Sequence, residues 1–311
     1  MIRLSENFRA LFYTPFYAAH AIGAYATEGV AVDLISSLDP ARTAADLRAG
    51  RIDVMWGGPL RVLLAHAADP AADVVCFCDV VARDPFFLIG RAPGPAFRPA
   101  DLIGPRIGIV AEVPTPWLCL QDDIRHDGAD PAAANRAQGP SMAENAAALR
   151  PGRLDAVQLF QPHAEALLQD GFHLWHAAAG RGLTAYTTLV TRRSLLALRR
   201  DEMAAMVRAM HRVLRWIAAT PGAEIARAVA SFFPDVPAPR SSPPRSTATA
   251  LSGFTPPTRA RAPKASPASM PPCAPAARWT ATSRSMPSST TPSPERRSLS
   301  HDPAQPVVTR P

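Results

Sequence analysis

A seven-residue segment occurs twice in this chain and constrains its fold more than any other sequence feature. Residues 47–53 read Leu-Arg-Ala-Gly-Arg-Ile-Asp, and residues 149–155 read Leu-Arg-Pro-Gly-Arg-Leu-Asp. In each copy a glycine, Gly50 or Gly152, ends a predicted helix, because glycine tolerates the positive φ of a C-terminal turn. The chain is therefore expected to contain two similar structural units.

The residues after each copy predict a strand that ends beneath the start of a helix. The first strand, 52–56, runs into Gly-Gly-Pro at 57–59, and the second strand, 156–160, leads to Pro162. Proline is favoured at the first position of a helix. The first N–H groups of such a helix have no partner within it and can bind an anion. Two units of this kind indicate two lobes that face one cleft.

Strand and helix patterns alternate along most of the chain, which is typical of parallel βαβ units. We predict a two-lobed α/β fold in which residues 1–83 and 186–238 form the first lobe and residues 84–185 form the second. The chain would cross between the lobes after residue 81 and again at Tyr186.

Local signals predict several helix boundaries. Ser141 and Glu144 have the spacing of a capping box, and Thr43 is the expected N-cap of the helix that ends near residue 49. A helix is predicted over residues 117–126. The spacing of apolar residues predicts one long helix over residues 195–219.

The four cysteines, Cys76, Cys78, Cys119 and Cys273, have no spacing typical of a disulfide framework or a metal site. Cys76 and Cys78 are expected on one face of a strand as buried structural thiols. The histidines also have no metal-ligand spacing. We therefore expect neither a metal nor a cofactor.

Charge and proline divide the chain near residue 239. The chain carries a net charge of +7, but residues 239–311 alone contain ten Lys or Arg against two Asp or Glu. Residues 1–238 are close to neutral, so the charge gives no reason to expect a nucleic-acid partner. Residues 239–311 also hold 16 of the 34 prolines. Such a composition builds no packed core, and we expect a disordered tail.

We predict that residues 239–311 are translated in a shifted reading frame, and a genuine Pro/Ser/Arg-rich disordered extension is the alternative. The composition changes abruptly after Pro237, where a helical domain should continue. If each codon for residues 262–285 is replaced by its third base and the next two bases, the new frame can encode an amphipathic helix followed by Gly-Gly. Both explanations predict that residues 239–311 carry no site.

No stretch of about 20 apolar residues occurs that could span a membrane. The first residues lack the basic region, the apolar region and the small-residue cleavage site of a signal peptide. The sequence as given therefore predicts a cytoplasmic location if its start is correct.

Short motifs in order along residues 1–237 resemble the type II periplasmic binding proteins of ABC importers. In the first lobe these are Asn-Phe at 7–8, Tyr-Thr-Pro-Phe-Tyr at 13–17, Gly-Val at 29–30 and Gly-Arg-Ile-Asp-Val at 50–54. Asp101-Leu102 with Gly104, then Ile107-Gly108, resembles the start of the second lobe. The resemblance is to the branch that covers nitrate, sulfonate, taurine and thiamine-pyrimidine uptake.

This resemblance implies two lobes that close on a small molecule, an ABC permease as partner, a monomer and a periplasmic location. The loops that match the family's ligand-contacting positions are 7–16, 56–59, 113–117, 158–162 and 184–187. Their aromatic rings suit a flat or partly apolar ligand, and their helix N-termini suit an anionic group. The candidate ligand-binding residues are Asn7, Tyr13, Phe16, Trp56, Gly57, Gly58, Thr115, Trp117, Gln158, Phe160, Gln161 and Tyr186.

Two kinds of enzyme are built on the fold of this family, and they are the alternatives to a binding protein. One makes the thiamine pyrimidine from pyridoxal phosphate held by a lysine near the position of Gly58. This chain has no lysine before Lys264, so that no Schiff base can form in the predicted lobes. The other is a cytosolic lyase or dehydratase of menaquinone-precursor synthesis. An effector domain of a transcription regulator is disfavoured, because no helix-turn-helix precedes the first strand.

Overall fold

The computed structural model of the protein describes residues 1–37, 39–94, 96–137 and 141–234. The predicted tail and its suggested shift of reading frame lie outside these residues. The described strands are β1 (Ile2–Ser5), β2 (Val32–Ile35), β3 (Val54–Gly57), β4 (Val75–Val81), β5 (Phe87–Gly90), β6 (Arg106–Gly108), β7 (Asn135–Ala137), β8 (Ala156–Leu159), β9 (His173–Ala177) and β10 (Thr187–Thr191).

The helices alternate with these strands. The described α-helices are α1 (Thr14–Ala21), α2 (Ala24–Thr27), α3 (Pro40–Arg48), α4 (Leu60–Ala68), α5 (Thr115–His126), α6 (Met142–Leu149), α7 (His163–Gln169), α8 (Arg193–Leu198), α9 (Arg200–Ala219) and α10 (Gly222–Val229). Single 3-10 turns occupy Leu11–Tyr13, Pro99–Leu102, Pro131–Ala133, Ala178–Arg181 and Ala230–Phe232.

The strands form two five-stranded sheets of the same design. The first has the order β2-β1-β3-β10-β4 and the second the order β7-β6-β8-β5-β9. In each sheet four strands run in the same direction, and the remaining strand, β10 or β5, is antiparallel to both of its neighbours. We call the first sheet with α1–α4 and α8–α10 the first lobe, and the second sheet with α5–α7 the second lobe. The predicted two-lobed α/β architecture is confirmed, while its boundaries at residues 83 and 185 stay a prediction.

Two neighbouring segments, residues 82–86 and 178–186, connect the lobes. They bond to each other through their backbones, with Thr184 N–H donating to Ala82 (3.0 Å) and Ala178 N–H to Phe86 (2.9 Å). These bonds hold the two crossings side by side.

A buried ion pair reinforces the crossings. Asp84 is almost completely buried and accepts a hydrogen bond from the Phe86 N–H at 3.0 Å. The Arg181 guanidinium binds Asp84 at 2.9 Å and also binds Asp123 of α5. Burial raises the pKa of Asp84, although the bonds from Phe86 and Arg181 oppose that shift. This arrangement ties both crossings to α5.

The repeated segment has the same structure in both lobes. Gly50 and Gly152 have φ values of 73° and 84°. The aspartate that ends each copy accepts a hydrogen bond from the backbone N–H of an arginine on the adjacent strand, Asp53 from Arg3 (2.9 Å) and Asp155 from Arg106 (2.8 Å). Each arginine also donates to the carbonyl of the nearby glycine. The aspartates therefore join β1 to β3 and β6 to β8.

Two helix predictions need correction. Asp39 caps α3, because its Oδ1 accepts from the N–H groups of Ala41 (2.8 Å) and Arg42 (3.2 Å). Thr43 instead lies buried within that helix. The predicted long helix at 195–219 is two helices, α8 and α9, because the backbone leaves the helical region at Arg199 (φ −116°, ψ 40°).

The capping box is confirmed: Ser141 Oγ accepts from the Glu144 N–H (3.2 Å), and Glu144 accepts from the Ser141 N–H (2.7 Å). The helix predicted to start at residue 117 begins two residues earlier.

A bulge in β4 contradicts the expectation that Cys76 and Cys78 share one face. Leu189 pairs with Cys78 and Val190 with Cys76, so that Phe77 has no pairing partner on β10. Cys76 packs beside the core cluster that contains Val190, whereas Cys78 packs on the main core. Burial raises the pKa of both thiols, that of Cys78 to about 12. They behave as half-buried structural residues.

Candidate ligand-binding site

A small cavity lies between the two lobes, where β1, β3 and β6 end. The carboxyl ends of parallel strands form the usual ligand-binding edge of an open α/β sheet. The cavity has a volume of about 110 Å³, and we call it the inner cavity. Its lining comprises first-lobe and crossing residues Asn7, Phe8, Phe12, Tyr13, Gly58, Leu60, Arg61, Leu64, Phe86, Tyr186 and Thr187, and second-lobe residues Val113, Pro114 and Thr115.

Two helix N-termini, one from each lobe, border the inner cavity. Gly58 precedes α4, and Thr115 is the first residue of α5. A Cβ added to Gly58 would lie 3.8 Å from Thr115 Oγ1 and 3.5 Å from the Tyr186 carbonyl oxygen. The lobes thus approach each other closely at this glycine. The free N–H groups and positive ends of the two helix dipoles favour a negative charge here.

Arg61, in the first turn of α4, adds a full positive charge to this edge. No ion pair or hydrogen bond connects its side chain to another of the described residues, although its charge acts on the Tyr13 hydroxyl. Arg61 also borders a shallow groove on the outer side of α4, beside Asp69 and Asp73. It is the one charged residue that lines the inner cavity among the described residues.

Two buried polar groups that line the inner cavity have no hydrogen-bond partner among the residues that the structure describes. They are the side-chain oxygen of Asn7 and the hydroxyl of Tyr186. Asn7 is 2% exposed and Tyr186 is 7% exposed. A buried polar group without a partner costs roughly 1–3 kcal/mol, so such groups in a cavity indicate a place for a bound molecule.

Both cavity tyrosines remain protonated near neutral pH. Burial raises the pKa of Tyr13, and its interactions with Asn7, Arg61 and Thr187 only partly oppose that effect. Burial, followed by the negative charge of Asp84, raises the pKa of Tyr186 well above its ordinary value. Both hydroxyls can therefore donate hydrogen bonds, and neither is suited to act as a base.

The lining of the inner cavity carries no carboxylate, imidazole or thiol among the residues that the structure describes. These are the side chains that most often act as nucleophile or as general acid and base. The polar side chains that the lining presents are hydroxyls, an amide and a guanidinium, which are suited to hold a polar ligand.

An aromatic wall separates the inner cavity from a second, larger groove between the lobes. Phe8 stacks on Phe160 across the cleft, with ring centroids 6.3 Å apart, and Phe12 meets Phe160 edge-on at 5.1 Å. This second groove, which we call the outer groove, has a volume of about 490 Å³ and is lined by Phe160 and Gln161 among others. These two predicted ligand residues therefore lie outside the inner cavity. Gln161 Oε1 also accepts from the Glu165 N–H (2.9 Å) at the start of α7.

The structure does not bring Phe16, Trp56 or Gly57 to either space. Trp56 and Phe16 are completely buried and stacked on each other, with centroids 4.7 Å apart and planes 10° apart. Tyr13 meets Trp56 at 5.8 Å and lies between that ring and the cavity. Gly57 lies beside the Asn7 side chain, because a Cβ added to Gly57 would be 4.0 Å from Asn7 Nδ2.

Trp117 and Gln158 also lie outside the inner cavity. Trp117 packs against the second-lobe core, and the Arg136 guanidinium lies 4.5 Å from the centroid of its ring. Gln158, buried in β8, donates to the Pro116 carbonyl at 3.1 Å and so supports the start of α5. Of the predicted residues, those that line the inner cavity are Asn7, Tyr13, Gly58, Thr115 and Tyr186.

Sequence reasoning missed Arg61, Phe8 and Phe12. A cation in the first turn of a helix opposes the helix dipole, and this unfavourable placement was a readable signal for Arg61. Phe8 and Phe12 lie within the loop of residues 7–16, but no residue pattern distinguishes a wall between two cavities from ordinary core.

Among the described residues, no group of three or more His, Cys, Asp or Glu is arranged to hold a metal ion. No helix in that part of the chain has the length and apolar character needed to cross a bilayer.

The chain resembles several known proteins in sequence and in fold. YtlA of Bacillus subtilis (strain 168), provisionally named a binding protein, is 23% identical over 242 residues, which are 75% of this chain and 71% of YtlA. The periplasmic aliphatic sulphonate binding protein SsuA of Escherichia coli superposes with a TM-score of 0.62 at 17% identity, covering 81% of this chain and 82% of SsuA.

The desulfurization enzyme DSZB has the same fold with a TM-score of 0.51 at 16% identity, covering 75% of this chain and 79% of that enzyme. The likeness to SsuA confirms the predicted type II periplasmic-binding-protein fold. The family described as NMT1/THI5 like matches residues 12–224, more than half of the chain. The chain therefore belongs to the NMT1/THI5-like family.

Proposed function

We propose that this protein is the solute-binding component of an ABC importer and that it holds a small anionic ligand in the inner cavity. One observation carries the proposal. Arg61, which has no ion-pair partner among the described residues, lies with two helix N-termini around a cavity formed by both lobes. An unpaired guanidinium and two helix N-termini together favour a negatively charged ligand.

The names of similar proteins support the same function. YtlA is named as a binding protein, and SsuA binds aliphatic sulphonates in the periplasm. A sulfonate, with three oxygens around one negative charge, suits a guanidinium flanked by helix N-termini. Delivery to a permease and a periplasmic location belong to this proposal. A cognate permease reconstituted in liposomes should show an ATPase rate that rises with the loaded protein.

An enzymatic role receives less support from the site. The inner cavity is lined by no carboxylate, imidazole or thiol among the described residues. The chain has no lysine before Lys264 to hold pyridoxal phosphate. The similarity to DSZB shows a shared fold and gives no evidence of a shared activity.

Calorimetric titration with ethanesulfonate, nitrate and acetate tests the proposal directly. Arg61→Gln should weaken binding of an anion that the unchanged protein accepts by tenfold or more, about 1.4 kcal/mol. Arg61→Lys should retain part of the affinity, because it keeps the charge and loses the planar guanidinium.

Arg153→Gln is the matched control, since Arg153 is an exposed arginine remote from the cavity, and it should bind as the unchanged protein does. Equal affinities for the Arg61→Gln and Arg153→Gln proteins would show that the anion binds elsewhere. Mass spectrometry of small molecules released from the native protein would then identify what it carries.

A further inference from the structure

We infer that the ligand is a compact oxyanion that also carries its own N–H or O–H hydrogen-bond donor. This inference rests on the proposed function and narrows its ligand class. It separates hydroxy- or amino-substituted short-chain sulfonates and carboxylates from unsubstituted ones. The observations that carry it are the two unpartnered polar groups of the inner cavity and the size of that cavity.

The first observation is the unpartnered oxygen of Asn7. Asn7 is 2% exposed, and no donor among the described residues bonds to its Oδ1. The amide nitrogen lies on the side of Gly57, where an added Cβ would be 4.0 Å away, and the side chain interacts with the Tyr13 hydroxyl. The amide oxygen can only accept a hydrogen bond. An anion without a donor group would leave it unsatisfied.

The second observation is that each of the other polar side chains around the cavity can donate a hydrogen bond. The Tyr186 hydroxyl has no partner among the described residues, and it stays protonated, so it can donate to an anion. Arg61 and the first-turn N–H groups of α4 and α5 donate as well. Among the lining side chains of the described residues, the Asn7 oxygen is thus the group that can only accept, and the complement of the site is an anion with one donor beside it.

The third observation is the volume of the inner cavity. At about 110 Å³ it is smaller than a typical ligand pocket of roughly 300–1,000 Å³. Phe8 and Phe12 close it towards the outer groove. The space suits a head group of a few atoms on a short apolar chain, with the phenyl rings packed against the carbon atoms.

Matched pairs of ligands test the inference with the full chain. The first pair is 2-hydroxyethanesulfonate and 1-propanesulfonate, which differ by a hydroxyl in place of a methyl group. The second pair is 3-hydroxypropanoate and butanoate. The hydroxylated member of each pair should bind at least about tenfold more tightly, because the methyl analogue leaves the Asn7 oxygen without a donor.

Two variants assign the preference to its cause. Asn7→Leu should bring the affinities within each pair to within about twofold of each other, because it removes the acceptor and keeps similar volume. Asn7→Ala serves the same purpose if the leucine variant fails to fold. Tyr186→Phe should weaken both members of a pair by a similar factor, because its hydroxyl serves the shared anionic group.

The outcomes separate this inference from the proposed function. Equal binding within the pairs by the unchanged protein, or a preference that survives Asn7→Leu and Asn7→Ala, overturns the inference. The proposed function still stands in that case if Arg61→Gln weakens anion binding. Failure of every sulfonate and carboxylate probe to bind overturns the inference together with the proposed anionic ligand.

Discussion

In both lobes the repeated segment ends in an aspartate that bonds to an arginine of the neighbouring strand, but the two ion pairs differ in burial. The Asp53 side chain is 7% exposed and binds Arg3 through the backbone N–H and two guanidinium nitrogens. The Asp155 side chain is 44% exposed, and its ion-pair distance to Arg106 is 3.6 Å. The two similar segments thus make a junction with a buried carboxylate in one lobe and a junction with an exposed carboxylate in the other.

The helices that follow the two copies also differ in what they reach. After the first copy, α4 brings Arg61 to the inner cavity. After the second copy, Pro162 and His163 at the start of α7 border the outer groove. The second helix at the inner cavity is α5, which follows β6 instead. A repeated sequence therefore specifies a repeated turn, while neighbouring elements decide which repeat contributes to the site.

The largest expected effect distinguishes the two aspartates. Asp53→Ala should lower the free energy of unfolding by about 2–3 kcal/mol, because it leaves the Arg3 N–H and guanidinium without their buried acceptor. Asp155→Ala should cost about 1 kcal/mol or less, because water replaces the lost carboxylate at an exposed pair. Urea unfolding of both variants measures the difference. Equal costs would show that burial does not separate the two junctions.

The repeated glycines should behave alike where the aspartates do not. Gly50→Ala and Gly152→Ala should each cost about 1–2 kcal/mol, because both glycines have positive φ. An added Cβ would also approach the guanidinium of Arg192 (2.9 Å) or Arg91 (2.8 Å).

Gly180→Ala is the matched control for these glycines, since an added Cβ there meets nothing within 4 Å. Unfolding midpoints of the three variants provide the comparison. If only one of the repeated glycines were sensitive, the two turns would not be energetically equivalent.

Lowering the pH should reveal a further difference between the stability contributions of Asp53 and Asp155. Burial raises the pKa of Asp53, but hydrogen bonds from Arg3 and the charges of Arg3 and Arg199 outweigh burial, so that the net pKa is lowered. A carboxylate with a lowered folded-state pKa stabilises the protein above its unfolded value, about 3.9, and loses that contribution as pH falls through the folded value.

Asp53→Asn removes this contribution. The stability difference between Asp53→Asn and the unchanged protein should therefore shrink as pH falls below about 4. Asp155→Asn should show a smaller difference at every pH, because water screens its exposed pair. Urea unfolding at several pH values measures both curves. A constant difference for Asp53→Asn between pH 6 and pH 3 would contradict the lowered pKa.

Much of the fold could be predicted from the sequence because its signals are local. Gly50 and Gly152 need positive φ, and Ser141 with Glu144 forms a capping box wherever that helix packs. The N-cap of α3 was predicted wrongly because Thr43 and Asp39 are both good caps, and Pro40 selects the earlier one.

The site could be predicted only in part, because its geometry depends on contacts between distant residues. Aromatic residues at strand ends look alike in sequence, whether they line a cavity, as Tyr13 does, or fill the core, as Phe16 does. The wall between Phe8 and Phe160 joins residues of different lobes. No local pattern encodes a contact of that kind.

The smallest expected effect compares the two tryptophans that sequence reasoning placed at the ligand. Trp56 in the first lobe is separated from the inner cavity by the Tyr13 ring, whereas Trp117 in the second lobe packs beneath Arg136. A bound anion should therefore change the fluorescence of Trp56 through Tyr13 and leave that of Trp117 unchanged. Trp56→Phe should abolish most of the ligand-induced signal and weaken affinity only about twofold to fivefold, because it disturbs the support of Tyr13 without removing a ligand contact.

Trp117→Phe is the matched control and should keep both the signal and the affinity. Within the described part of the chain the buried Trp56 Nε1–H has no hydrogen-bond partner, so phenylalanine removes an unsatisfied donor and offsets part of the packing loss. The titrations are run at temperatures well below the unfolding midpoint of each variant, so that unfolding does not contribute to the fluorescence change. A signal that survives Trp56→Phe and disappears in Trp117→Phe would move the ligand from the inner cavity towards α5 and the second lobe.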